Sequence, residues 1–115
     1  MKKRVVIVLL AFILIFLLVT LATNKTFFKT TYIGAQKQEI FIPRFSYFKD
    51  ECCMTAATFY SLKSKKTLQK EIDNYLKDFE YFEDDSTYGY QNGDLFIQKY
   101  EVLDKLIYRK IIITY

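Results

Sequence analysis

A chain of 115 residues with 17 Lys plus Arg against 13 Asp plus Glu, and with no His or Trp, has room for one small domain and not for two. The absent histidine excludes a Cys–His nucleophile pair, a Ser–His–Asp triad and any His-containing zinc site. Lys2, Lys3 and Arg4 carry most of the basic excess, leaving 14 cations against 13 acids after Ala22, so no nucleic-acid partner is expected.

Val5 to Ala22 is an unbroken apolar run, VVIVLLAFILIFLLVTLA, behind that cationic start. A helix crossing a hydrocarbon core needs about 20 such residues, with a lower limit of roughly 17. At roughly −0.3 to −0.6 kcal/mol for each central Val, Leu, Ile or Phe, the run favours insertion by about 4–8 kcal/mol as an upper bound. Residues 1–23 therefore read as a signal-anchor transmembrane helix, with the membrane as partner of residues 5–22. A cleaved signal peptide is the alternative, since Thr20-Leu21-Ala22 is a passable cleavage site. Cations stay cytoplasmic, so the expected topology is single-pass with the N-terminus inside and the rest extracytoplasmic, or secreted if the segment is removed. No Cys follows Leu21-Ala22 to accept a lipid.

Residues 24–36 are polar and Thr-rich and read as a juxtamembrane spacer, with Phe27, Phe28 and Lys29 suited to the headgroup level. Asn24-Lys25-Thr26 fits a glycosylation sequon, relevant only in a eukaryotic secretory pathway. The domain proper is expected over 37–115. All ten Tyr and nine of the eleven Phe follow the apolar run, and at roughly 150–250 Å² buried per aromatic they are expected to form its core rather than a ligand-stacking face.

From Gln38 to Phe48, Phe41, Phe45 and Tyr47 fall on one face of an extended strand, and Pro43 makes it an edge strand or interrupts it. Lys49-Asp50-Glu51 reads as a turn leading into a second strand over 55–62, with a helix capped by Asp50 as the alternative. Leu68, Ile72, Tyr75, Leu76 and Phe79 recur with helical spacing, predicting an amphipathic helix over 68–79 with Ser64 or Thr67 as cap and an Asp73–Lys77 pair on its solvent face. Glu80 to Asp85 is expected as a solvated acidic turn, because its spacing does not follow a calcium-loop pattern.

Asn92-Gly93, flanked by aromatic and β-branched residues, predicts a type I′ hairpin between strands 87–91 and 94–102. A turn near 103–105 leads to a last strand over 107–115, with Ile107, Ile111, Ile113 and Tyr115 on one face and Arg109 breaking it. The expected fold is α+β with two layers: an antiparallel sheet of about five strands, in the order β-β-α-β-β-β, covered by one helix.

Cys52 and Cys53 are the only cysteines. Neighbours on an extended strand point to opposite faces, which opposes a bond between them. One buried and one partly exposed thiol is the first expectation; an intermolecular disulfide and a redox-active vicinal pair are the alternatives. Asp50 and Glu51 beside them should raise rather than lower a thiol pKa. No cofactor, metal or catalytic constellation is expected. The functional expectation is a membrane-tethered extracytoplasmic binding module for an unidentified protein partner, of which inhibitor and immunity proteins are examples. An edge strand at 38–48, free to receive another chain, would support it. The alternative is a thiol-dependent redox protein using Cys52 and Cys53.

Overall fold

The computed structural model describes residues 2–35 and 37–115; Met1 and Gln36, the ends of the expected anchor and spacer, lie outside them. Helix α1 (Lys2–Thr23) buries no residue. It is long and apolar enough to span a membrane or serve as a signal sequence. Its threonines do not interrupt this character: Thr20 Oγ1 donates to the Phe16 carbonyl (2.8 Å) and Thr23 Oγ1 to that of Val19 (2.9 Å), satisfying their hydroxyls inside the helix. At 1.5 Å per residue its 22 residues extend about 33 Å, and projection from the domain accounts for overall extents of 69 × 28 × 23 Å.

The remainder is α+β. Among the described residues nine strands follow: β1 (Thr31–Ile33), β2 (Glu39–Phe41), β3 (Tyr47–Cys52), β4 (Ala56–Ser61), β5 (Glu80–Glu83), β6 (Tyr88–Asn92), β7 (Leu95–Ile97), β8 (Lys99–Asp104) and β9 (Arg109–Thr114), with helix α2 (Lys65–Leu76) between β4 and β5. They form not one sheet but three antiparallel ones: β1-β2, β3-β4-β9-β8 and β5-β6-β7. The larger sheet carries the core. Ala57 and Phe59 on β4, Val102 on β8, and Ile111 and Ile113 on β9 alternate inward and meet Leu68 and Ile72 of α2. Period-two burial on the strands and the i, i+4 spacing on the helix are what one shared apolar layer requires. Phe59 is fully buried, with Tyr32 edge-on at 5.3 Å and Phe48 at 5.7 Å between ring centroids, so the aromatics do form the centre of the core.

Several local expectations shift. The expected spacer belongs to the domain: Thr26 and Tyr32 are buried and β1 pairs with β2. Apolar residues spaced too irregularly for a strand face are here held by long-range contacts. The 38–48 strand is split at Pro43, after which Arg44 and Phe45 turn, Phe45 with φ 65°. Lys49-Asp50-Glu51 is strand, not turn, and carries a bulge between Phe48 and Asp50. Residues 56–61 are strand β4, paired with β3 as expected, and not helix.

Helix α2 starts and ends about three residues earlier than its apolar spacing implied. Ser64 Oγ accepts from Thr67 N–H (3.2 Å) as N-cap. Asp73 accepts from Gln69 Nε2 (3.0 Å) and forms no ion pair with Lys77. The acidic segment is strand β5 over Glu80–Glu83, and the turn follows it. Register Asn92↔Leu95 leaves Gly93-Asp94 as a two-residue loop with Gly93 at φ 60°. Positive φ at the first loop position alone is the pattern of a type II′ turn, not I′. Ile107 lies before β9 and is exposed. Arg109 reaches back to Asp104 (Nε–Oδ1 2.9 Å), which keeps its charge off the apolar face.

The embedding of residues 24–36 in the domain has a consequence for truncation. A fragment over 24–115 should unfold cooperatively in urea without detergent, whereas one over 37–115, lacking Thr26, β1 and Tyr32, should lose several kcal/mol or the transition itself. Gly93→Val should cost more than about 1 kcal/mol, because a β-branched residue is disfavoured at positive φ; an unchanged denaturation midpoint would refute this turn geometry.

Candidate functional site

The β3–β4 turn holds both cysteines. Cys52 ends β3 opposite Ala56, while Cys53 and Met54 have φ of 63° and 62°, and Thr55 N–H donates to the Cys52 carbonyl at 3.3 Å. Two consecutive left-handed residues make a type I′ turn out of residue types that rarely adopt it. Cys53 therefore leaves the strand, and the alternation that opposes a bond between neighbours no longer applies. The two sulfurs form a vicinal disulfide, with Cα atoms 3.8 Å apart and no free thiol. Both residues are exposed, unlike the expected buried and partly exposed pair, because the turn projects beyond the sheet.

Beside this turn stands Glu51, the residue around which three separate segments converge. Its Oε2 accepts from the Tyr32 hydroxyl (2.5 Å) and its Oε1 accepts from Ala35 N–H (2.9 Å) and from the Tyr115 hydroxyl. Tyr115 N–H in turn donates to the Thr55 carbonyl at 2.8 Å. The Tyr115 ring lies over Gly34, where an added Cβ would come within 2.9 Å of it, so this position needs glycine for close approach.

The hydroxyls of Tyr115 and Tyr32 hold the Glu51 carboxyl below its ordinary pKa. Burial, followed by the bond to Glu51, pushes Tyr115 up to about 12 and raises Tyr32 further. A carboxylate kept ionised beside phenols kept neutral has no proton to exchange near neutral pH. The geometry is that of a clamp: two phenol hydroxyls and one amide N–H donate to a single carboxylate.

Along the outer side of β1 runs a groove of about 280 Å³ lined by Lys25, Lys29, Thr31, Tyr32 and Ile33. Lys25 Nζ stands 4.9 Å from the Phe48 ring centroid, a cation–π arrangement that orients it, and its charge also helps to lower the Glu51 carboxyl. The groove thus offers two ammonium groups and an exposed apolar side chain, Ile33. Its chemistry suits an extended segment bearing carboxylates.

The edge expected at 38–48 is partly occupied: β2 pairs with β1 and β3 ends its sheet, and side chains bond the remaining edge at Phe41 and Phe48. Asn24 Nδ2 donates to the Phe48 carbonyl (3.1 Å) and its Oδ1 accepts from Phe48 N–H (2.9 Å), while Tyr100 Oη donates to the Phe41 carbonyl (2.7 Å). Side chains here take the place of a neighbouring strand. The sequon residues are used the same way, with Thr26 Oγ1 donating to the Ser46 carbonyl at 2.8 Å. Asp84 Oδ1 accepts from Ser86 N–H, Ser86 Oγ and Thr87 N–H at 2.8–3.0 Å, so part of the acidic cluster closes a turn. Among the described residues no group of three or more His, Cys, Asp or Glu side chains is placed to hold a metal ion.

The parts that Glu51, Tyr32, Tyr115 and Asn24 play here had no signature in the sequence, because each bonds a partner at least 19 residues away. No protein-family model, curated protein or solved structure matches the chain.

The clamp should make stability pH-dependent. Because the folded-state pKa of Glu51 is lowered, its stabilisation is present above the ordinary carboxylate value and is lost as pH falls through the folded value. Raised tyrosine values act oppositely, and their contribution is lost as pH rises beyond about 10. Urea melts of the 24–115 fragment should show Glu51→Gln costing about 1–3 kcal/mol at neutral pH and a flatter stability profile below pH ~4.5. Parallel profiles for the two proteins would rule the clamp out.

Proposed function

We propose that this protein is a membrane-tethered, extracytoplasmic binding module. The observation that carries the reading is α1: from Lys2 to Val19 every residue is exposed although the run is apolar, and such a surface is stable in lipid rather than in water. Lys2, Lys3 and Arg4 at its start favour a cytoplasmic N-terminus, which leaves the domain outside. The Lys25–Ile33 groove is the surface we assign to a protein partner, and its two lysines favour an acidic, extended segment. An inhibitor or immunity-type protein acts in this way, by occupying a partner rather than transforming a substrate.

Topology and binding are tested separately. Protease added to intact cells or spheroplasts should remove a tag placed after Tyr115; protection of that tag in an otherwise sensitive preparation would refute the topology. A photocrosslinking residue at Ile33 should give a discrete protein adduct in the native membrane, reduced when Lys25 and Lys29 are both changed to Glu, while the same residue at Lys70 on α2 should give none. Equal labelling at both positions would remove the groove as the binding surface.

The exposed Cys52–Cys53 disulfide favours a second reading, a redox protein cycling between this disulfide and a dithiol. The double variant Cys52→Ser with Cys53→Ala separates the two: binding at Ile33 should persist in it. A dithiol-dependent disulfide-reductase activity present in the unaltered protein and lost in the double variant, with no adduct at Ile33 in either, would favour the redox reading.

A further inference from the structure

The four-stranded sheet has two ends of different character. In the order β3-β4-β9-β8, the pairs Tyr47↔Tyr60, Ser61↔Arg109 and Asp104↔Arg109 bring the start of β3, the end of β4 and the β8–β9 turn to one end. That end meets α1: Phe45 N–H donates to the Phe27 carbonyl at 3.0 Å, and Asn24, one residue beyond α1, is bound to Phe48. The rings of Phe27, Phe28 and Phe45 form a cluster with centroids 5.0–6.3 Å apart.

This end exposes apolar surface that nothing in the fold covers. Leu106 is 98% exposed, Ile107 75%, Phe28 50% and Phe45 45%. Loop tips of a water-facing domain are ordinarily polar, and a turn that presents Leu-Ile to water is costly unless it has another environment. Cations stand among these residues: Arg44 lies 5.8 Å and Lys63 5.9 Å from the Phe45 ring centroid, and Lys29 and Lys105 are exposed nearby in sequence. Lys63 and Arg109 are paired, with Glu71 (2.9 Å) and Asp104 (2.9 Å), so among the described residues the cations here that form no ion pair are Arg44, Lys29 and Lys105. Aromatic and aliphatic tips ringed by Lys and Arg match a bilayer interface, where apolar groups enter the acyl boundary and cations meet lipid phosphates.

We infer that this end of the sheet docks on the leaflet through which α1 leaves the membrane, inserting Phe28, Phe45, Leu106 and Ile107 at headgroup depth. Such docking rests on the reading of α1 as a retained membrane anchor. The tether identifies the occupant: Phe28 lies five residues beyond the end of α1, and the short connection is pinned to β3, so the patch cannot be far from the lipid that the anchor occupies. Docking at this end points the Cys52–Cys53 turn away from the membrane.

The absence of Trp allows a single-site fluorescence test on the full chain in phosphatidylcholine–phosphatidylglycerol vesicles. Leu106→Trp and Phe45→Trp should show blue-shifted emission and be quenched several-fold more by lipids brominated near the headgroup than Met54→Trp at the opposite end. Leu106 is so exposed that its replacement does not threaten the fold. Phe16→Trp within α1 reports the anchor separately and should be quenched by lipids brominated deep in the acyl chain. Quenching at Phe16 with Leu106 and Phe45 as unquenched as Met54 would overturn the docking while leaving the anchor standing. No quenching at Phe16 would overturn the anchor reading and the inference with it.

Discussion

The Asn24 carboxamide determines how the apolar helix meets the folded domain. By donating to the Phe48 carbonyl and accepting from the Phe48 amide, it substitutes for a strand residue along the edge of β3, and the buried Thr26 hydroxyl bonded to Ser46 repeats the device two residues on. A segment that would otherwise be a free linker becomes part of the sheet's border. Two consequences follow from this single arrangement. The edge is closed to pairing with another chain at that point, and the end of the sheet carrying Phe45 is held close to the end of α1.

The rest of the domain is organised along the strand direction that this latch defines. The α1 end exposes Phe28, Phe45, Leu106 and Ile107 with Arg44, Lys29 and Lys105; at the other, Glu51 gathers Tyr32, Ala35 and Tyr115, and the disulfide turn projects beyond them. The clamp joins the small β1-β2 sheet to the main one through a charge-assisted set of hydrogen bonds. Hydrophobic packing of Phe59, Ile111 and Ile113 against Leu68 and Ile72 supplies the core between the ends. The proposed partner groove along β1 and the proposed membrane contact adjoin at Lys29, which lines the groove and follows Phe28 in the chain, so a partner held in the groove would sit close to the membrane surface.

Elements whose signal lies within a few residues were read correctly in kind, although the local Asp73–Lys77 pair does not form and the turn at Gly93 is of another type. The uninterrupted apolar run, the spacing of Leu68 and Ile72, the pairing of 56–61 back onto its predecessor and the glycine between β6 and β7 all announce themselves through periodicity or a conformational requirement. Errors fell where charge was taken for exposure. Lys49-Asp50-Glu51 and Glu80–Glu83 resemble turns in composition, yet an edge strand with one face in water accepts charged side chains freely. Phe27, Phe28 and Tyr32, scattered among threonines, gave no strand pattern because their contacts are made with residues after Pro43.

The sequence by itself determined that the chain has an apolar helix able to enter a membrane, an amphipathic helix and a β-rich remainder, since each depends on residue order over one element. Only the tertiary structure decided that the strands divide among three sheets, that Asn24 closes an edge, that Cys53 turns back to meet Cys52 and that a carboxylate is held by a tyrosine 64 residues away. Those outcomes depend on which distant segments become neighbours. A hydrogen bond between them leaves no periodic trace, because the chain between its partners can vary in length and composition at little entropic cost.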